Sequence, residues 1–235
     1  MNHADGSQHL GGAPDASFDA VAAALAERDA TVPPPHVRAD LLGRIATTPR
    51  QSVQPLAPID LYAARVAALS ALFASMRPDE WSSTAHPYEW SVHGLVAHLL
   101  VIERYSAHLF GVPGAALFDA GKSRDHLAMG GDAVATELRR SPRDTCDDWS
   151  RVAASIADHV RSGAVPADMP VALHGWQFTA SSALIARAFE IWTHTDDIRR
   201  ATGRSLDVPA AAELRTMSSL SVRALPDLLR LVHPE

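Results

Sequence analysis

The sequence predicts an all-α protein, a body of four long helices with one long crossover, preceded by a short two-helix N-terminal arm. Three observations predict it. Apolar residues recur at three- and four-residue steps through each long segment, the period of a helix that buries one face. No run alternates apolar and polar residues as a half-buried strand would. Helix starts and stops stand at the edges of the periodic runs, among them Ser91, the pair Ser141-Pro142 and Gly203.

In chain order, residues 1–15 read as a polar leader in which His3 and His9 are solvent-exposed. The Ala-rich run Phe18 to Glu27 is a short helix. Thr31-Val32-Pro33-Pro34-Pro35 breaks it before a second helix, His36 to Ala46, with Val37, Leu41 and Ile45 on one face. A Pro-punctuated linker, Thr48 to Pro58, separates this arm (1–57) from the body (58–235). The body opens with a helix from Ile59 to Met76, ended by Arg77-Pro78. Ser91 then caps a helix running to about Phe110, with Leu95, His98, Leu99, Ile102 and Tyr105 on one face. Residues 111–131 are loop-rich and Asp132 to Arg140 is a short helix. The helix Arg143 to Arg161 packs through Trp149, Val152, Ile156 and Val160, and Cys146, one turn before Trp149, reads as a buried small residue rather than a nucleophile. From Gly163 to Thr179 the pattern is too broken for helix and reads as an extended crossover. A helix follows from Thr179 to Gly203, and the chain closes with another from Ala210 to about Ala224, then Pro226 and a last turn.

Composition narrows the function. With 235 residues and 47% hydrophobic content the chain can bury a substantial core. A net charge of -6, from 21 basic and 27 acidic residues, gives no general attraction to nucleic acid. The single cysteine, Cys146, excludes an internal disulfide framework and a Cys-based zinc site, which fits a reducing, cytoplasmic interior. No stretch reads as a signal peptide or a membrane span.

The chemistry concentrates between Arg187 and Gly203. Leu184, Ala188, Ile191, Thr195 and Ile198 form the apolar face, and beside it Arg187, Glu190, His194 and Asp197 form a second stripe one turn apart. Glu190 and His194, at i and i+4, read either as an ordinary ion pair on a helix surface or as an oxygen and a nitrogen ligand to one cation, which zinc, nickel or iron accepts. Two ligands from one helix do not make a site. His98 is the candidate third: it sits on a face expected to be buried, where it needs a core hydrogen-bond partner or a metal.

Three stretches carry a resemblance. Trp90-Ser91-Val92-His93-Gly94-Leu95-Val96-Ala97-His98-Leu99, Asp125-His126-Leu127-Ala128-Met129 and the whole segment Arg187 to Gly203 resemble the mycothiol-dependent maleylpyruvate isomerase family, within the DinB-like four-helix-bundle metalloproteins. The resemblance covers roughly Leu56 to Val232. It implies a divalent metal, usually zinc, held by His98, Glu190 and His194, with a fourth position open to water or a thiolate. It further implies mycothiol as co-substrate, attacking a small electrophile as a thiolate, with Asp197 orienting an imidazole and Arg187, Arg199 or Arg200 holding a substrate carboxylate. The first motif commonly carries an acid where this chain has Gly94. The family's isomerases continue into a small α/β C-terminal domain, whereas this chain ends at Glu235, so metal binding without isomerase activity is a competing expectation. The arm, through Pro33 to Leu42, resembles the later helices of actinobacterial anti-sigma factors, though without the Cys of their zinc-binding version. That resemblance implies a regulatory alternative, in which residues 16–47 contact a sigma factor and the bundle is a metal-binding sensor or scaffold.

Overall fold

The computed structural model describes residues 36–37, 39–40, 43–44, 53–87, 90–115, 133–173 and 176–232, with side chains for all but 173, 176 and 224–232. Everything that bears on the site lies in one compact unit, Val53–Leu225, while Met1–Ser52 and Pro226–Glu235 make up a second. Within the first unit the long helices are α1 (Pro58–Ala74), α2 (Val92–Leu109), α3 (Pro142–Arg161) and α4 (Ala180–Ala201), and α5 (Ala211–Val232) leads out of it. A 3₁₀ turn, Pro78–Ser82, follows α1, and a short helix at 133–137 precedes α3. In the arm, the described residues of the predicted second helix are helical. The leader, the helix predicted at Phe18 to Glu27 and the Asp125-His126 stretch lie outside the described residues.

Sequence signals account for where the helices begin and end. Pro58 and Pro142 occupy first-turn positions, where a missing amide hydrogen costs nothing and the fixed φ suits a helix. Ser91, Ser141 and Thr179 each accept a hydrogen bond from the amide three residues on, closing the first turns of α2, α3 and α4. Gly203, at φ +67, reverses the chain just after α4, in the left-handed region that a side chain disfavours.

The four helices pack as a bundle in which α1 lies against α3 and α4, and α2 against the same two. Its core includes Trp149, which is fully buried and meets Phe73 edge-on at 5.5 Å, and Leu61, Leu69, Leu95, Leu99, Ile156 and Ile191 belong to the same buried cluster. Arg65 on α1 forms a buried ion pair with Glu213 on α5 at 2.6 Å.

Two sequence expectations are corrected. The crossover before α4 is not simply extended: Pro170–Leu173 (β3) pairs antiparallel with Trp176–Thr179 (β4) in register Val171↔Phe178. A smaller pair, Thr84–Ala85 (β1) with Trp90–Ser91 (β2), precedes α2. These strands are two to four residues long, too short to show an alternating pattern, so only partner pairing reveals them. The turn leading into β3 also serves α4. The carbonyls of Ala167 and Met169 accept the amides of Ser181 and Ala180, first-turn donors that have no partner within the helix. The second correction is the closing helix, which runs through Pro226 to Val232. A proline forfeits one backbone bond and crowds the preceding turn, and here that does not end the helix.

Candidate metal centre

Two helices meet at the site. On α2, His98 is 3% exposed among Leu95, Leu99 and Ile102, all fully buried. On α4, Ala188, Ile191, His194, Thr195 and Ile198 form the buried face, and Glu190 sits half-buried at its edge. The two helices bring His98 Nε2 to 3.4 Å from Glu190 Oε1, and His194 Nε2 to 4.0 Å from the same oxygen. The imidazole rings stand edge-on, 5.6 Å between centroids. One ligand atom from each of the three residues lies within 4.8 Å of the others.

That spacing suits a cation. Ligands at about 2.0–2.2 Å from zinc in a tetrahedron stand roughly 3.4 Å apart, so the observed separations require closure of no more than about 1.4 Å. The donor set, two imidazole nitrogens and one carboxylate oxygen, is one that zinc accepts with a fourth position left open. Asp197 supports the assignment, because its Oδ2 lies 3.1 Å from His194 Nδ1. An ionised carboxylate accepts there, which makes Nδ1 the donor, and in the neutral ring this leaves Nε2 as the acceptor facing the centre.

Trp90, the residue before the α2 cap, lies against His98 with ring centroids 5.2 Å apart. Gly94 makes room for it. A Cβ at that position would meet the Trp90 Cβ at 3.3 Å, tighter than an ordinary van der Waals contact.

Arg187 departs from its expected role. Assigned from sequence to a substrate carboxylate, it is 0% exposed, and its guanidinium is committed to two carboxylates of the chain itself. One amino group donates to Glu190 Oε2 and the other to Glu103 Oε2 at 2.7 Å. Glu103, also 0% exposed, accepts the Tyr62 hydroxyl on its second oxygen. Burial opposes the charge of Arg187, but the carboxylates of Glu103 and Glu190 outweigh it and hold the guanidinium protonated well above its ordinary range. Burial, reinforced by Glu103, likewise raises the Tyr62 phenol, so it stays a donor. Glu103 and Tyr62 were missed in the sequence. The available signal was a carboxylate directly after the apolar run Leu99-Leu100-Val101-Ile102.

Arg199 and Arg200 are not brought to the centre. Arg199 is five residues past His194, about 140° around the helix, and donates to the Ser205 carbonyl at 2.9 Å. Arg200 is exposed and stands 3.9 Å from Asp197 Oδ1.

A family model described as the mycothiol maleylpyruvate isomerase N-terminal domain matches residues 62–199, more than half of the chain and all three candidate ligands. The chain belongs to this family. Among curated proteins it is 30% identical over 158 residues to two from Mycobacterium tuberculosis, Rv0036c of strain H37Rv and MT0041 of strain CDC 1551, both uncharacterized. The match covers 66% of this chain and 59% of theirs, so the chain spans less than two thirds of those relatives. Among solved structures it resembles the mycothiol-dependent maleylpyruvate isomerase, with 16% identity, a TM-score of 0.51 and coverage of 68% of this chain and 65% of that one. A mutant of that enzyme matches at 17% identity and a TM-score of 0.50, over the same shares of the two chains. At such identities the likeness is one of fold, and it agrees with the helical bundle described above. No helix among the described residues is long and apolar enough to cross a membrane.

Proposed function

We propose that this chain is a metal-dependent, thiol-using enzyme of the isomerase or S-transferase type, in which His98, Glu190 and His194 hold a divalent cation, zinc, and mycothiol is the thiol. The observation that carries this reading is the convergence, within 4.8 Å, of two imidazoles and a carboxylate from two helices of a family domain whose model is described by mycothiol chemistry. A divalent cation held by three side chains would lower the pKa of a thiol at its open position and so supply thiolate at neutral pH, ready to attack a small electrophile.

The chain's own residues set up that chemistry. Asp197 fixes the proton of His194 on Nδ1 and so aims Nε2 inward. Trp90 covers one side of His98 and limits the water that reaches it. Arg187 gives the substrate nothing directly, since it is enclosed. A carboxylate of thiol or substrate must therefore find its cation among more exposed groups. The regulatory alternative rests on the arm alone, most of which lies outside the described residues.

Metal analysis of the purified protein and of His98→Ala, followed by mycothiol consumption with a model electrophile, tests the proposal. About one zinc per chain is expected in the native protein. His98→Ala should lose both the metal and at least about 100-fold in rate, the scale of removing a metal-borne activation. A metal-free native protein, or an unchanged rate in the variant, would sink the reading; bound metal with no thiol chemistry would leave a binding protein and sink the enzyme.

A further inference from the structure

We infer that Arg187, braced by Glu103 and Tyr62, is a positioning residue that presents Glu190 to the cation through one oxygen only. The inference rests on the metal reading above and extends it to residues that touch neither metal nor substrate.

The chain of contacts is continuous and buried. It starts on α1 at the Tyr62 hydroxyl, passes through Glu103 on α2, and reaches α4 at Arg187, which then holds Glu190. Tyr62, Glu103 and Arg187 are all 0% exposed. Each carboxylate divides its two oxygens. Glu103 gives Oε1 to Tyr62 and Oε2 to Arg187, while Glu190 gives Oε2 to Arg187 and turns Oε1 toward the two imidazoles at 3.4 and 4.0 Å. Arg187 can do this because its amino groups diverge in a rigid plane, one toward each helix. For Glu190 to offer both oxygens to a metal, its Oε2 must be shared with, or drawn away from, the half-buried ion pair with Arg187, which disfavours that mode. One-oxygen ligation is therefore favoured, and it keeps the remaining coordination position for a small ligand instead of a second carboxylate oxygen.

A purely structural role predicts lost stability and nothing more. A positioning role predicts a change in the metal itself. The test is therefore zinc affinity, by competition with a chromogenic chelator, and the visible absorption of the cobalt-substituted protein, whose intensity falls when coordination number rises. The variants are Arg187→Lys and Tyr62→Phe, with circular dichroism as the fold control. Arg187→Lys keeps the charge but not the planar fork. It should bind zinc about 10- to 100-fold more weakly, the scale for partners that orient metal ligands, and show a weaker cobalt band as Glu190 supplies both oxygens. Tyr62→Phe deletes one hydroxyl at the far end of the chain and should shift both readouts in the same sense by less.

A folded Arg187→Lys protein with native zinc affinity and an unchanged cobalt band overturns the inference and leaves the metal site standing. If Arg187→Lys does not fold, the same null result in Tyr62→Phe overturns it. A native protein that takes up no zinc overturns the metal reading and this inference together.

Discussion

At the scale of single residues, burial decides protonation. Cys146 is buried beside Asp147, and burial first, then that carboxylate, push its thiol up to about 12, so it remains protonated at neutral pH and supplies no thiolate of its own. Its position before Trp149 in the sequence already suggested as much. His93 presents the opposite case for a base. It sits on the first turn of α2, 8% exposed, with Nε2 3.1 Å from Thr145 Oγ1, and burial lowers its pKa against the opposing pull of Glu137. A histidine depressed in the folded state binds fewer protons there than in the unfolded chain. Its neutral form is accommodated above the unfolded value of about 6.5, and stability is lost as pH falls through the folded value. Urea midpoints measured from about pH 7 down to about pH 5 should therefore fall more steeply in the native protein than in His93→Gln. Parallel slopes would show that His93 contributes nothing to the acid limb.

At the scale of elements, the caps and the turn leading into β3 determine how firmly α2 and α4, which carry the candidate ligands, are held. Ser91 Oγ accepts the Gly94 amide at 3.0 Å, and Ser91→Ala should destabilise the protein by about 1 kcal/mol, read as a lower urea midpoint. Because His98 lies nearly two turns inside α2, zinc content should be unchanged in that variant. Loss of zinc would mean that the first turn, and Trp90 with it, sets the geometry of the centre. The cap and the interior face were both legible in the sequence, because each depends on spacing within one helix. The turn leading into β3 was not, because its support for α4 comes from backbone carbonyls of Ala167 and Met169, which carry no side-chain signature.

At the scale of the whole molecule, buried ion pairs tie distant segments together. Arg65 is 7% exposed and bonds Glu213 at 2.6 Å, while its other contact, Asp207, is longer at 3.4 Å and more exposed. Glu213 also accepts the Ala210 amide at 2.7 Å and so closes the start of α5. Glu213→Gln should cost roughly 3 kcal/mol, because it leaves a buried guanidinium with one weaker partner. Chemical denaturation measures this, and a change under about 1 kcal/mol would place the pair among those worth no more than a surface contact.

Periodicity and capping residues by themselves determined that the body is helical, where each long helix of the bundle starts, and that His98 lies on a buried face, since these are local consequences of residue spacing, whereas they left Glu190 and His194 open between a surface pair and an inward one. Only the tertiary structure decided what the charged residues around them do. Arg187, a candidate substrate contact by sequence, meets Glu103, 84 residues away, and is enclosed between it and Glu190, whereas Arg199 on the same helix points elsewhere. The physical reason is that spacing assigns a side chain to a face, but whether a buried charge is tolerated there depends on which opposite charge the packing of α1, α2 and α4 brings within a hydrogen bond.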